Sequence, residues 1–192
     1  MKRKLSGVAI IIIIVVLIGL LMMRTYNSLV TIDENVKQQF SQIQTMIQRR
    51  ADLIPNYVET VKGYATHESE VLTEVTKARA GVNEALSNAT EENPNTEAIA
   101  EANGKLNIAL NAVVEAYPEL KANENFMALQ DELAGAENRI AKARKDYNES
   151  VGVYNKKIRT FPTSIMASIF GFDKHDYFEA SSEAQDVPKV DF

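Results

Sequence analysis

The chain has 192 residues, with 21 basic and 26 acidic side chains, a net charge of −5, and neither cysteine nor tryptophan. Four of the basic residues (Lys2, Arg3, Lys4 and Arg24) flank one apolar run, so the remainder is more acidic still, which argues against nucleic acid as a partner because phosphate binding draws on a surplus of Lys and Arg. Without cysteine there is no disulfide framework, no thiolate zinc site and no cysteine nucleophile, and five Pro and eight Gly are too few for a chain of strands and turns.

A basic N-terminus, residues 1–4, precedes Leu5–Met23, a run of 19 residues without a charge. At ~1.5 Å per residue this run is about 28 Å long as a helix, close to the ~30 Å hydrocarbon core of a bilayer. A cleaved secretory signal is the rival reading. The run exceeds the usual ~7–15 residue apolar core of such signals, and Leu21–Tyr26 offers no small-x-small cleavage site, so residues 5–23 are read as an uncleaved transmembrane helix. Three basic residues before the span, against Arg24 and Lys37 after it, favour a cytoplasmic N-terminus and an extracytoplasmic remainder.

Beyond the anchor, Leu29, Ile32, Val36, Phe40, Ile43 and Ile47 recur at helical spacing, and neither Pro nor Gly interrupts Met23–Arg50. A second run follows in Ile54, Val58, Val61, Ala65, Leu72, Val75, Val82 and Leu86. The stretch Arg50–Pro55 is taken as the turn between these two helices. One long helix containing Pro55 is the alternative, because a seven-residue phase continues across the proline. Polar Ser87–Thr96, with Pro94, reads as a loop. Ile99, Ala102, Leu106, Leu110 and Val113 mark a third helix, ended by Tyr117-Pro118.

The fourth run is the most regular. Phe126, Leu133, Ile140, Tyr147, Tyr154 and Phe161 lie seven apart, with Leu129, Ala136 and Ala143, then Val151 and Ile158, in the intermediate positions. Asn123 is placed to cap its start, and Pro162 stops it. Each helix pairs an apolar stripe with a charged face, so the stripes must pack on one another. The expected fold is all-α: a transmembrane helix followed by an up-and-down, four-helix, coiled-coil-like bundle over residues 24–172. Ile165, Met166, Ile169 and Phe170 suggest one short amphipathic helix at the end of that bundle. Residues 173–192 read as an acidic, flexible tail, with Tyr177-Phe178 as the element that could dock.

Candidate chemistry is sparse. His67, Glu70 and Glu74 could present ligands on one helix face, but a second histidine four residues on is missing, and so is the Glu-x-x-His pair of a di-iron bundle. A solvated helix face is the simpler reading. Asp173, His175, Asp176 and Glu179 crowd together in the tail around one histidine. The repeat Tyr147-Asn148 and Tyr154-Asn155 could stack a ligand, although tyrosines at heptad positions are more often core. Lys142, Arg144, Lys145, Lys156, Lys157 and Arg159 could meet anionic lipid or an acidic partner, with a solvated face as the plainer account. There is no phosphate loop or nucleophile elbow, so no catalytic residue, cofactor, metal or small-molecule substrate is assigned. The expected partners are the bilayer, through the N-terminal helix, and a protein or a second copy, through the helix faces. A metal-binding or enzymatic bundle using His67, Glu70 and Glu74 remains an alternative, as does a lipid-contacting, membrane-shaping protein using Ile165–Phe170.

Several stretches together resemble one family. They are Tyr26-Asn27-Ser28-Leu29-Val30, Arg49–Asn56 (RRADLIPN), Val61–Ala65 with His67-Glu68, Ala78-Arg79, and Tyr117–Asn123 (YPELKAN). Later come Asn125-Phe126, Leu129-Gln130, Glu137–Ala141 through Arg144, the two Tyr-Asn pairs and Phe161-Pro162. The sequence is similar to LemA proteins over nearly all of the chain after the anchor. That resemblance implies a helical bundle behind a transmembrane helix in the bacterial cell membrane. It supplies no catalytic residue or cofactor.

Overall fold

The computed structural model describes residues 7–63, 70–91 and 93–179. An apolar run without a breaker leads straight into an amphipathic stripe, and the two form a single helix of 56 residues, α1 (Gly7–Lys62). The large apolar side chains from Val8 to Met23 are exposed, as expected of a segment whose surroundings are lipid rather than protein. Among the described residues, α1 alone is long and apolar enough to cross a membrane. Burial begins at Leu29. Leu29, Val36, Ile43, Arg50 and Tyr57 form one buried stripe at seven-residue spacing, and Phe40, Ile47, Ile54 and Val61 form another. Helices α2 (Glu70–Asn88), α3 (Thr96–Ala116), α4 (Glu124–Arg159) and α5 (Thr163–Phe170) follow, with a short 3-10 helix at Pro118–Ala122. No strand occurs among the described residues, and the all-α expectation holds.

The chain divides into two compact units, one from Met1–Lys37 and Glu149–His175, the other from Gln38–Asn148 and Asp176–Phe192. In the second unit, hydrogen bonds give the order of the helices. Ala51 and Gln44 of α1 meet Arg79 and Ala89, so α2 runs antiparallel to α1. Arg50 and Tyr57 meet Asn103 and Leu110, so α3 runs parallel to it. Tyr57 meets Gln130, Arg50 meets Glu137 and the Phe40 ring lies 6.1 Å from Tyr147, so α4 runs back again. This is an up-and-down four-helix bundle. Its core holds Tyr57 against Phe126 (5.4 Å between ring centroids), with Ile54, Val75, Leu106, Leu120 and Ile140 fully or almost fully buried. Asn123 caps α4 as its position suggests, its Oδ1 accepting the Phe126 N–H at 2.9 Å.

In the first unit, α1 buries Leu29 and Val36, the end of α4 buries Val151, Tyr154 and Ile158, and α5 buries Met166 and Ala167. Gly171 ends α5 in the left-handed region (φ 71°), letting the Phe172 N–H reach the Ala167 carbonyl at 2.9 Å, a turn that a side chain at position 171 would strain.

The turn expected at Arg50–Pro55 is not there. Pro55 lies inside α1, and the break comes after Lys62. A proline inside a helix removes the N–H that would bond the carbonyl four residues back, a cost of about 3 kcal/mol or more with the ring clash included. Here that carbonyl belongs to fully buried Ala51, and the Arg79 Nε–H of α2 bonds it at 2.9 Å. A side chain from the neighbouring helix thus replaces the missing backbone donor, and Pro55 itself faces outward, where its ring meets no core.

Arg79→Met should therefore destabilise the chain by about 1–2 kcal/mol, the cost of an orphaned carbonyl. The same change in a Pro55→Ala background should cost much less, because residue 55 then supplies the N–H. Urea unfolding of the four proteins in detergent measures this coupling; additive costs would refute the account.

Candidate functional site

The second unit carries a polar cluster inside its apolar bundle. Arg50 occupies a stripe otherwise filled by Val36, Ile43 and Tyr57, and is 3 % exposed. Its Nη1 donates to Asn103 Oδ1 at 2.9 Å and to Glu137 Oε2 at 2.7 Å, and its Nη2 donates to Asn107 Oδ1. Asn103, itself 1 % exposed, also reaches Glu137 Oε2 at 3.5 Å. Burial pulls the Arg50 pKa below the ordinary arginine value, Glu137 opposes the shift, and the like charge of Arg144 adds to it. The guanidinium stays charged and is committed to the fold: two other helices supply its acceptors. Arg144 is not on a solvated face, although its neighbours suggested one. It is half-buried, and its guanidinium lies 4.6 Å above the Phe178 ring.

The Tyr-Asn repeat of α4 has a function that spacing alone did not show. In the first unit, Tyr154 Oη donates to the Asp173 carbonyl at 2.8 Å. The Asn155 amide bonds both backbone groups of His175, its Nδ2 donating to the carbonyl at 2.8 Å and its Oδ1 accepting the N–H at 3.1 Å. In the second unit, Tyr147 Oη donates to the Asp176 carbonyl at 3.0 Å, and Asn148 bonds both backbone groups of Phe178 at 2.9 and 2.8 Å. Each pair reads the same pattern: tyrosine takes one carbonyl, and asparagine takes the residue two further on, as a neighbouring strand would. The spacings match. Seven residues of helix rise about 10.5 Å, and three residues of extended chain cover about 10 Å. The tyrosines are core, as their heptad positions suggest, and their hydroxyls reach backbone carbonyls rather than a ligand. Burial raises both tyrosine pKa values to about 12, helped by Asp176 at Tyr147 and by Asp33 and Asp173 at Tyr154.

These contacts settle several candidates. Residues 173–178 are held by hydrogen bonds, whereas the sequence read them as the start of a flexible tail; residues 180–192 lie outside the described residues. Phe178 docks, at 4 % exposed, while Tyr177 stays exposed. Asp173, His175, Asp176 and Glu179 do not converge. His175 Nε2 instead lies 2.7 Å from Asp33 of α1, which also pairs with Lys37 at 3.2 Å, and its ring lies 4.6 Å from Tyr154. His67 lies outside the described residues, and Glu74 pairs with Lys77 at 2.8 Å. No group of three His, Asp or Glu able to hold a metal occurs among the described residues.

One recess stands out. A groove of about 650 Å3 runs between α2 and α3, floored by Ala78, Gly81, Ala85, Ala102, Ala109 and Ala112. Glu74, Lys77, Glu84, Glu101 and Lys105 stand among its walls, and Ile108, 56 % exposed, lies in it. Its lining mixes small apolar residues with charged ones, and Glu74 pairs with Lys77 and Glu101 with Lys105.

The LemA family model matches residues 39–192. This chain belongs to the LemA family. It is 31% identical to the magnetosome protein MamQ 2 of Paramagnetospirillum magneticum, over 92% of this chain and 72% of that protein. It is 29% identical to the magnetosome protein MamQ of Magnetospirillum gryphiswaldense over the same shares. It is 26% identical to the protein LemA of Metamycoplasma hominis, over 86% of this chain and 72% of that one. Several of the residues that carry the LemA resemblance hold the fold together: Arg50 pairs with Glu137, Arg79 serves Pro55, Asn123 caps, and the Tyr-Asn pairs bind backbone. Read from sequence, Arg50 falls in a turn; the missed signal is the seven-residue spacing from Val36 and Ile43 to Tyr57, which puts a cation in an apolar stripe. Its acceptors, on two other helices, left no such signal.

Asn148→Ala should speed amide exchange at Phe178, and Asn155→Ala at His175, each about tenfold, which is the loss of roughly one net hydrogen bond. Each change should leave the other amide nearly untouched; peptide-resolved exchange of the full chain checks this. Because both tyrosines hold their protons more tightly when folded, their contribution to stability is intact below pH ~10, the unfolded value, and is lost as pH rises toward 12. Urea midpoints should fall across that window, and Tyr147→Phe with Tyr154→Phe should flatten the fall.

Proposed function

We propose that this LemA-family protein is a non-enzymatic, single-pass membrane tether whose bundle binds a helical segment of a protein partner along the α2–α3 groove. The observation that carries this reading is the groove itself. Its floor of Ala and Gly lets another backbone approach closely, Ile108 offers an apolar anchor, and charges of both signs edge it, the arrangement that receives an amphipathic helix. The Arg50 Nη donors and both Tyr-Asn pairs are taken up by bonds within the fold, which fits a binding protein better than a catalyst, although Arg50 Nε and the Arg144 Nε and Nη2 are buried without an acceptor. A single helix runs from the apolar segment into the buried core, which supports an uncleaved anchor. The basic residues at its start support a cytoplasmic N-terminus and an extracytoplasmic bundle.

The absence of native cysteine makes the test direct. Ile108→Cys, in otherwise unaltered full-length protein in its native membrane and carrying a thiol-attached benzophenone, should crosslink on irradiation to one defined protein, and Lys121→Cys so labelled, on an exposed surface, should not. Gly81→Trp should abolish that crosslink without lowering the melting temperature, because a side chain at 81 enters open groove. A disulfide-linked dimer of the Ile108→Cys protein would identify the partner as a second copy. Equal crosslinking at both positions, or crosslinking that survives Gly81→Trp, would overturn the reading. A membrane-impermeant maleimide that fails to label the Lys121→Cys protein in intact cells would reverse the orientation.

A further inference from the structure

Helix α5 turns Thr163, Met166 and Ala167 inward and leaves its other side uncovered. Ile165 and Ile169, four apart on one stripe, are 53 % and 61 % exposed, and Phe161 and Phe170 at the two ends are 78 % and 50 % exposed. Four large apolar side chains on one short element are an unfavourable surface to leave in water. What covers them follows from where α5 is attached. The Tyr26 ring lies 4.9 Å from Phe170 and 5.9 Å from Phe172. Tyr26 is three residues past Met23, the last residue of the apolar run, so it stands about 4.5 Å farther along the helix axis. That is the level at which tyrosines gather at membrane surfaces. Charge agrees with position. From Lys156 to Phe172 the sequence holds Lys156, Lys157 and Arg159 and no acid, and all three cations are exposed.

We propose that α5 lies in the membrane–water interface and inserts Ile165, Ile169, Phe161 and Phe170 into the leaflet from which α1 emerges. The insertion is shallow, about 5–10 Å into the headgroup–acyl boundary, as for other interfacial helices. Lys156, Lys157 and Arg159, which precede this face in the chain, meet anionic headgroups. The chain therefore touches lipid twice, with a spanning helix and with a surface helix that fixes how the first unit stands on the bilayer. The proposal rests on the reading of residues 5–23 as a membrane span, and its test separates the two.

The protein has no tryptophan, so one introduced indole reports alone. Full-length Ile169→Trp, Leu17→Trp and Ile108→Trp proteins are reconstituted in phosphatidylcholine vesicles whose acyl chains carry bromine either near the top or near the middle. Ile169→Trp should be quenched about twofold more by shallow than by deep bromine, the expectation for an interfacial helix. Leu17→Trp should be quenched best by deep bromine, and Ile108→Trp by neither. Adding phosphatidylglycerol should increase quenching at 169, and Lys156→Gln with Lys157→Gln and Arg159→Gln should cancel that increase. Quenching at 17 without quenching at 169 overturns the proposal and leaves the span intact. An unquenched, blue-shifted indole at 169 overturns it too, because protein rather than lipid then covers the helix. No quenching at 17 overturns the span and the proposal together.

Discussion

A guanidinium buried among four apolar helices sets the terms for the rest of the bundle. Desolvating Arg50 costs several kcal/mol unless its donors are met, and the acceptors come from α3 and α4 in one alignment only. Sliding either helix by a turn would leave a charge against hydrocarbon with no acceptor. Apolar stripes alone would tolerate such slips, since Leu, Ile and Val interchange at small cost. The ion pair with Glu137 therefore gives little net stability for its size, and its larger effect is to make the alternatives unstable. Arg79 plays a related part for α1. By bonding the Ala51 carbonyl it lets a proline sit inside a long helix, so the chain leaves the apolar segment and enters the bundle without a turn.

Much of this architecture was legible in the residues. The heptads of α4 marked its buried face through Tyr154 and Ile158, whereas Phe161, read as the next member of the series, lies beyond the helix and is 78 % exposed; Asn123 marked the start of α4, and the uncharged run marked the segment of bilayer length. What was not legible has one common cause: the deciding partner is distant in sequence or is backbone. Pro55 suggests a turn to any local rule, and only a donor 28 positions away from the freed carbonyl makes the helix continuous. The repeat at Tyr147 and Tyr154 was visible as a pattern, but its acceptors are carbonyls, and carbonyls leave no trace in a sequence. Arg144 was grouped with Lys142 and Lys145 by composition, whereas geometry puts it over Phe178. The groove between α2 and α3 follows from Ala and Gly at outward positions, which periodicity counts as neutral.

The two compact units divide the work. In the first, α5 and the turn after it bring Phe170 and Phe172 to Tyr26 of α1. In the second, four helices enclose the Arg50 cluster and leave the α2–α3 groove open. The LemA match, residues 39–192, covers the second unit and also Glu149–His175 of the first.

The asparagine clasps have one more implication. Asn148 and Asn155 bond the main chain at positions 178 and 175, and each tyrosine hydroxyl bonds a carbonyl, so nothing in the hydrogen bonding itself inspects a side chain. Lys174, Asp176 and Tyr177 project into solvent. Such a holder is indifferent to spelling. A lineage could rewrite those outward letters freely, for charge, for a modification signal or for a new ligand, while the fastening beneath stayed as it is.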